Sequence, residues 1–212
     1  MKRTFIALAA LVASGFTAQA QDGNTTYKPT AGNITTEVLF NDFGNINLNN
    51  GMLRARYFTS DAFAYRLSMG LTYDYDKIND DTHTRVFGIT LAPGIEKHFA
   101  GTERLSPYIG AELPISMQSA KLETKDGYVE GATSATGANR GYFGIGVNAV
   151  AGMDFYFAKN FYAGVEVGTG LQYLKNADVE TKNGNFSTET EGFHSVRFDQ
   201  FVNGGVRIGF VF

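Results

Sequence analysis

Residues 62–76 read AFAYRLSMGLTYDYD. Phe63, Tyr65, Leu67, Met69, Leu71, Tyr73 and Tyr75 take every odd position, and Ala64, Arg66, Ser68, Gly70, Thr72 and Asp74 take the even ones. A strand sends successive side chains to opposite faces, whereas 3.6 residues per helical turn would mix the two sets on every face. The stretch is a strand with one unbroken apolar face and one face of small, polar and charged residues.

The same period runs outward in both directions. It sorts Ser106–Gln118, Tyr142–Phe157, residues 161–173 and Val196–Phe212 on the C-terminal side. Val86–Phe99 and Met52–Phe58 repeat it, and Ile34–Phe40 shows it most weakly, with Ile34 and Val38 set against Glu37. That makes eight strands. Short connections (Thr59–Asp61, Ala100–Glu103, Ala158–Asn160) alternate with mostly longer polar ones (Asn41–Gly51, Lys77–Asp81, Ala120–Arg140, Leu174–Phe193). Alternating short turns and long loops are the mark of an all-β, eight-stranded antiparallel up-and-down barrel that crosses an outer membrane. The short turns and both termini are placed on the periplasmic side. Pro93 and Pro114 fall inside strands and lack a ladder donor, so each predicts a bulge or an early strand end.

Residues 1–20 are set apart from the fold. Met1-Lys2-Arg3, an apolar run from Thr4 to Phe16 and the small-residue pattern Ala18-Gln19-Ala20 compose a secretory signal peptide. Residues 21–30 read as a flexible polar arm and 31–212 as the barrel, with no further domain expected. Removing Lys2 and Arg3 takes the formal charge from −3 to −5, which argues against a nucleic-acid partner. The chain has no cysteine although it is exported, so closure of the sheet rather than disulfides must hold it together.

The composition of the minor face decides where that face points. It carries many glycines together with Arg54, Arg56, Arg66, Glu96, Glu112, Asp154, Glu166, Arg197 and Arg207. A water-facing surface of a soluble barrel would be rich in Lys and Glu. A narrow lumen needs small residues for room and opposite charges that satisfy one another. Arg54, Arg56, Arg66, Glu96, Glu112, Asp154, Glu166 and Arg207 are the candidate lumen charge network. The apolar face then meets lipid, with aromatic residues near both strand ends as girdles. The network reads as a plug; a narrow porin-like channel is the alternative.

Other chemistry is sparse. The histidines are His83, His98 and His194. His194 adjoins Ser195, but neighbours on a strand face opposite ways and cannot form a nucleophile–base pair. His98 and Glu96 share a face, which suggests a lumen hydrogen bond. No metal-ligand spacing, phosphate loop or dinucleotide fingerprint occurs, so no enzyme, cofactor or metal is expected; a lipid-modifying enzyme is the remote alternative.

The chain ends Val206-Arg207-Ile208-Gly209-Phe210-Val211-Phe212. Alternating apolar residues finishing on Phe210 and Phe212 resemble the signal read by the outer-membrane assembly machinery. With the leader and eight strands, residues 31–212 resemble the small outer-membrane barrels typified by the OmpA transmembrane domain, OmpX and opacity-type proteins. That resemblance implies an integral bacterial outer-membrane protein, monomeric, in contact with outer-membrane lipid and the assembly machinery. It implies a structural or adhesive role, with any extracellular ligand or host surface met by loops 120–140 and 174–193.

Overall fold

The computed structural model describes residues 27–39 and 52–212, without the side chains of Leu39 and residues 199–206. The expected leader, residues 21–26 of the arm and the Asn41–Gly51 loop lie outside the described residues.

Among the described residues twelve antiparallel strands form, and there is no helix. They are β1 (Ile34–Leu39), β2 (Met52–Ser60), β3 (Phe63–Asn79), β4 (Thr82–His98), β5 (Leu105–Glu112), β6 (Ile115–Thr124), β7 (Gly127–Glu130), β8 (Tyr142–Ala158), β9 (Phe161–Asn176), β10 (Val179–Asn183), β11 (Phe186–Thr190) and β12 (His194–Val211). Eight staves close a ring. Each of β1 to β4 pairs with the next, β5 and β6 both lie between β4 and β8, and β9 and β12 follow. β12 then returns to β1, from Thr35↔Val211 to Leu39↔Arg207. The weak first strand is thus the stave that seals the barrel.

β5 and β6 are one stave interrupted at Leu113 and Pro114. Gly94↔Glu112 precedes the gap and Leu91↔Ile115 follows it in unchanged register. Pro114 therefore ends a ladder without bulging it. The bulge expected at Pro93 is absent: Leu67↔Pro93 sits in a continuous register, and the Pro93 carbonyl accepts from Leu113 N at 2.8 Å. A bulge occurs instead between Asn203 and Arg207 against β9.

The polar loops expected at 120–140 and 174–193 contain strands. β6, β7, β10 and β11 make a four-stranded antiparallel extension beyond the ring. Val129, Ala132 and Val179 form its own small core, with Leu122 packed against them. The overlooked signal was Asn183-Gly184-Asn185. Gly-Asn is a two-residue hairpin loop that accepts a positive φ at its first residue, and Gly184 has φ +58°.

Burial is inverted relative to a soluble protein. Tyr65, Leu67, Leu71, Ile109, Val147 and Val167 are among many large apolar residues exposed on the outside, while charged groups are buried within. Tyr65 and Tyr73 lie eight residues apart on β3, roughly 26 Å along the strand; Phe63 and Tyr75 widen the span to roughly 40 Å. Tilted by about 40°, these brackets enclose the roughly 25 Å apolar band of an outer-membrane barrel. At the short-turn end Phe161 meets Phe210 at 4.8 Å, and Phe210 meets Phe212 at 4.7 Å between ring centres.

Two outcomes are expected. Unboiled protein will migrate differently from boiled protein on a denaturing gel. Met69→Arg, midway between Tyr65 and Tyr73, will destabilise the barrel in lipid vesicles by about 2–4 kcal/mol in a urea titration, and Tyr73→Arg by about 1 kcal/mol or less.

Candidate functional site

The inward face of the ring is built from alternate residues of every stave, so cross-strand register determines which charges meet. Glu37 on β1 lies opposite Arg54 on β2 and Gly209 on β12. Arg56 lies opposite Arg66 on β3. Two like charges side by side would repel unless carboxylates come between them from across the lumen, and they do.

Arg56 is fully enclosed. Its Nη1 donates to Glu96 Oε2 at 3.0 Å and Asp154 Oδ2 at 2.7 Å, its Nη2 to Glu37 Oε2 at 3.1 Å and its Nε to Thr35 Oγ1 at 3.2 Å. Arg66 reaches Glu96 at 2.8 Å, Glu166 at 2.9 Å and Glu112 at 2.7 Å. Arg54 bridges Glu37 at 2.7 Å and Glu166 at 3.1 Å, and its Nε donates to Ser68 Oγ at 2.9 Å. Arg207 bridges Glu37 and Asp154, both at 3.0 Å. The eight residues picked from the sequence thus converge in one connected cluster. Glu37 is the ninth charged member; the sequence sets it opposite Ile34 and Val38 but the short, weakly alternating β1 left it out of the expected network. Register is the signal that finds it: once β1 pairs with β2, Glu37 must face Arg54. Arg197, assigned to the same face, is exposed and lies outside the cluster.

An aromatic layer floors the cluster at the short-turn end. The Arg56 guanidinium sits 5.0 Å from the centre of the Tyr162 ring, 5.8 Å from Tyr108 and 5.9 Å from Phe58, distances at which cation and ring face attract. Tyr162 donates its hydroxyl to Glu37 at 2.8 Å and Tyr108 to Glu166 at 2.7 Å. Glycine makes the necessary room. A Cβ on Gly164 would lie 2.6 Å from Arg207 Nη2, and one on Gly209 2.1 Å from the Tyr162 ring. Below this layer Tyr27 packs on Tyr156, Tyr162 and Val211, accepts from Arg104 Nη2 at 2.8 Å, and leads into buried Pro29. Residues 27–30 of the expected flexible arm therefore lie against the barrel.

The cluster divides the lumen. Above it is a cavity of about 150 Å³ lined by Gly70, Thr72, Gly88, Thr90, Gln118 and Tyr142. Below it, at the short-turn end, is one of about 360 Å³. No group of three or more His, Cys, Asp or Glu suited to a metal ion occurs among the described residues.

The sequence matches the model of the OmpA-OmpF-like porin family over residues 45–212. The chain belongs to this family. It is an outer-membrane β-barrel protein, and its lipid-facing apolar surface and polar lumen are the two faces that such a barrel requires. Among solved structures, the chain resembles the N-terminal β-barrel domain of Pseudomonas aeruginosa OprF at 18% identity and TM-score 0.42, covering 87% of this chain and all of that one. It also resembles Ail, the attachment invasion locus protein of Yersinia pestis, at 15% identity and TM-score 0.40, covering 85% of this chain and 94% of that one. No curated protein matches the sequence.

Outside the apolar belt, on the outer surface of the extension, Glu123 accepts from Lys121 at 2.9 Å and from Arg85 at 2.7 Å, and also pairs with His83. Hydrogen bonds from Lys121 and His83 hold its carboxyl down at about 2. A depressed carboxyl stabilises the fold above its ordinary range and loses that contribution as pH falls through the folded value.

Two measurements probe these contacts. The Glu123 carboxyl, followed by NMR, will titrate near pH 2, and higher in Lys121→Ala, where His83 and Arg85 still hold it below the ordinary glutamate range. Arg207→Ala, which strips Glu37 and Asp154 of a buried partner, will cost about 3–5 kcal/mol in denaturant titration.

Proposed function

We propose that this porin-family member serves as a closed structural barrel of the bacterial outer membrane, with its four-stranded extension displayed as the surface for contact outside the cell. The observation that carries this reading is the charge cluster. Four arginines and five carboxylates interlock across the lumen, all buried, with Tyr108 and Tyr162 filling the space beneath. An eight-stave interior is wide enough for side chains and little else, and a permeating ion would have to break several charge-assisted bonds at once. Lipid covers the outer face, Phe210 and Phe212 close the last strand as the assembly signal, and the protein acts as a monomer. The display surface is braced: Arg140 donates to the Glu191 carbonyl at 3.1 Å and its guanidinium lies 5.4 Å from the Phe193 ring.

The porin reading is favoured by one finding, the family to which the chain belongs. Planar-bilayer recording separates the two. The closed barrel gives no sustained conductance steps, and Arg56→Ala combined with Arg207→Ala introduces them. Steps in the unmodified protein that vanish in Glu112→Gln would establish a pore.

A further inference from the structure

The sequence sets His194 beside Ser195, where strand geometry separates them. The structure assembles a different set. His98, the last residue of β4, lies 2.9 Å through Nδ1 from Ser106 Oγ on β5, and 3.0 Å through Nε2 from Glu96 Oε2. Serine, histidine and glutamate thus stand in series, all buried.

The direction of each hydrogen bond follows from the neighbours. Glu96 already accepts from Arg56 and Arg66, so it has acceptor capacity only, and Nε2 of His98 must carry the hydrogen between them. In the neutral ring Nδ1 then holds a lone pair, and Ser106 donates its hydroxyl hydrogen to it. The imidazole is fixed in that orientation between Phe58 at 5.1 Å and Tyr108 at 5.2 Å. A hydroxyl pointed at a base that is itself held by a carboxylate is the arrangement that makes serine nucleophilic.

The set is also reachable. His98 and Ser106 both line the 360 Å³ cavity at the short-turn end, whose wall includes Lys28, Thr30, Asp61 and Phe99. The volume falls in the range of small-molecule sites. The cavity wall also carries one charge of each sign, Lys28 and Asp61.

We propose that Ser106 is an activated nucleophile, addressed from the periplasmic side, that takes small acyl esters with His98 as its general base and Glu96 as the group that positions His98. Ser106 Oγ bonds to the ester carbonyl carbon while its proton passes to His98 Nδ1. The bond from that carbon to the alcohol oxygen then breaks, and the proton leaves with the alcohol. Water repeats the sequence on the acyl-serine, giving up its proton through His98 to Ser106 and releasing the acid.

The test uses the full chain in detergent micelles, with heat-modifiable mobility as the check on folding. A fluorophosphonate probe, which loses fluoride to an activated serine, will form an adduct that mass spectrometry maps to Ser106. Labelling will fall to background in Ser106→Ala. It will slow on the order of a hundredfold in His98→Asn, the usual share of a general base, and hydrolysis of p-nitrophenyl acetate will follow the same order. Ser195→Ala and His194→Asn, at the far end of the barrel, will label at the unmodified rate. Folded, unmodified protein that forms no Ser106 adduct would overturn the proposal whatever the variants do, as would a labelling rate unchanged by His98→Asn.

Discussion

Closure of the ring is the constraint from which the remaining features descend. Hydrocarbon offers no partner to a backbone N–H or carbonyl, so a sheet can cross it only if its first and last strands meet. Here they meet through a short pairing of β1 with β12, five residue pairs from Thr35↔Val211 to Leu39↔Arg207. Eight staves enclose a bore that side chains nearly fill. Every inward residue must then be small or must fit against a partner. The glycines under Arg207 and Tyr162 and the interlocked carboxylates are the two answers to that one restriction.

A dry apolar filling would also satisfy a narrow bore, so the charges call for a separate reason. Side-chain period is two, and a slip of one residue in any stave would exchange its faces. With an apolar interior that slip would go unpunished, because both faces would suit lipid equally. With Arg54, Arg56, Arg66 and Arg207 inside, it delivers arginine into hydrocarbon at about 2–4 kcal/mol apiece near the midplane. The cluster therefore specifies register even though a buried ion pair contributes little net stability against well-packed apolar groups. It is fitted for this because each arginine bridges carboxylates from different staves: Arg56 alone ties β1, β4 and β8 to β2.

How much of this the sequence disclosed depended on whether the information was periodic. Strand faces were legible because lipid on one side and a crowded bore on the other impose opposite chemistries, and the alternation in residues 62–76 records both. The inward charges were legible for the same reason. Glu37 was legible only weakly: its short stave sets it against Ile34 and Val38, and its place among the charges becomes evident from pairing with Arg54. Pro93 misled because a missing donor matters only where the ladder needs one, and register runs through that position intact. The extension was hidden by composition. Strands outside the membrane face water on both sides and lose the alternation, leaving only a turn signal at Gly184-Asn185 and a core as small as Val129, Ala132 and Val179. The Ser106–His98 contact spans eight residues and two strands, a proximity that no local pattern encodes.

The charge cluster lies between two cavities of the lumen, and the cavities differ in kind. The upper one is lined by small, polar and apolar residues, among them Gly70, Thr72, Met52 and Gln118, and lacks a titratable group apart from Tyr142. The lower one holds a histidine and a serine joined through Glu96 to the arginines of the cluster. Glu96 is thus shared by the charge cluster and by the His98–Ser106 pair. Whatever orients Arg56 and Arg66 also orients the imidazole, so the rigidity that register specification demands is handed directly to the lower chamber. A site at that depth gains preorganisation from a network whose first task is to keep the strands in register.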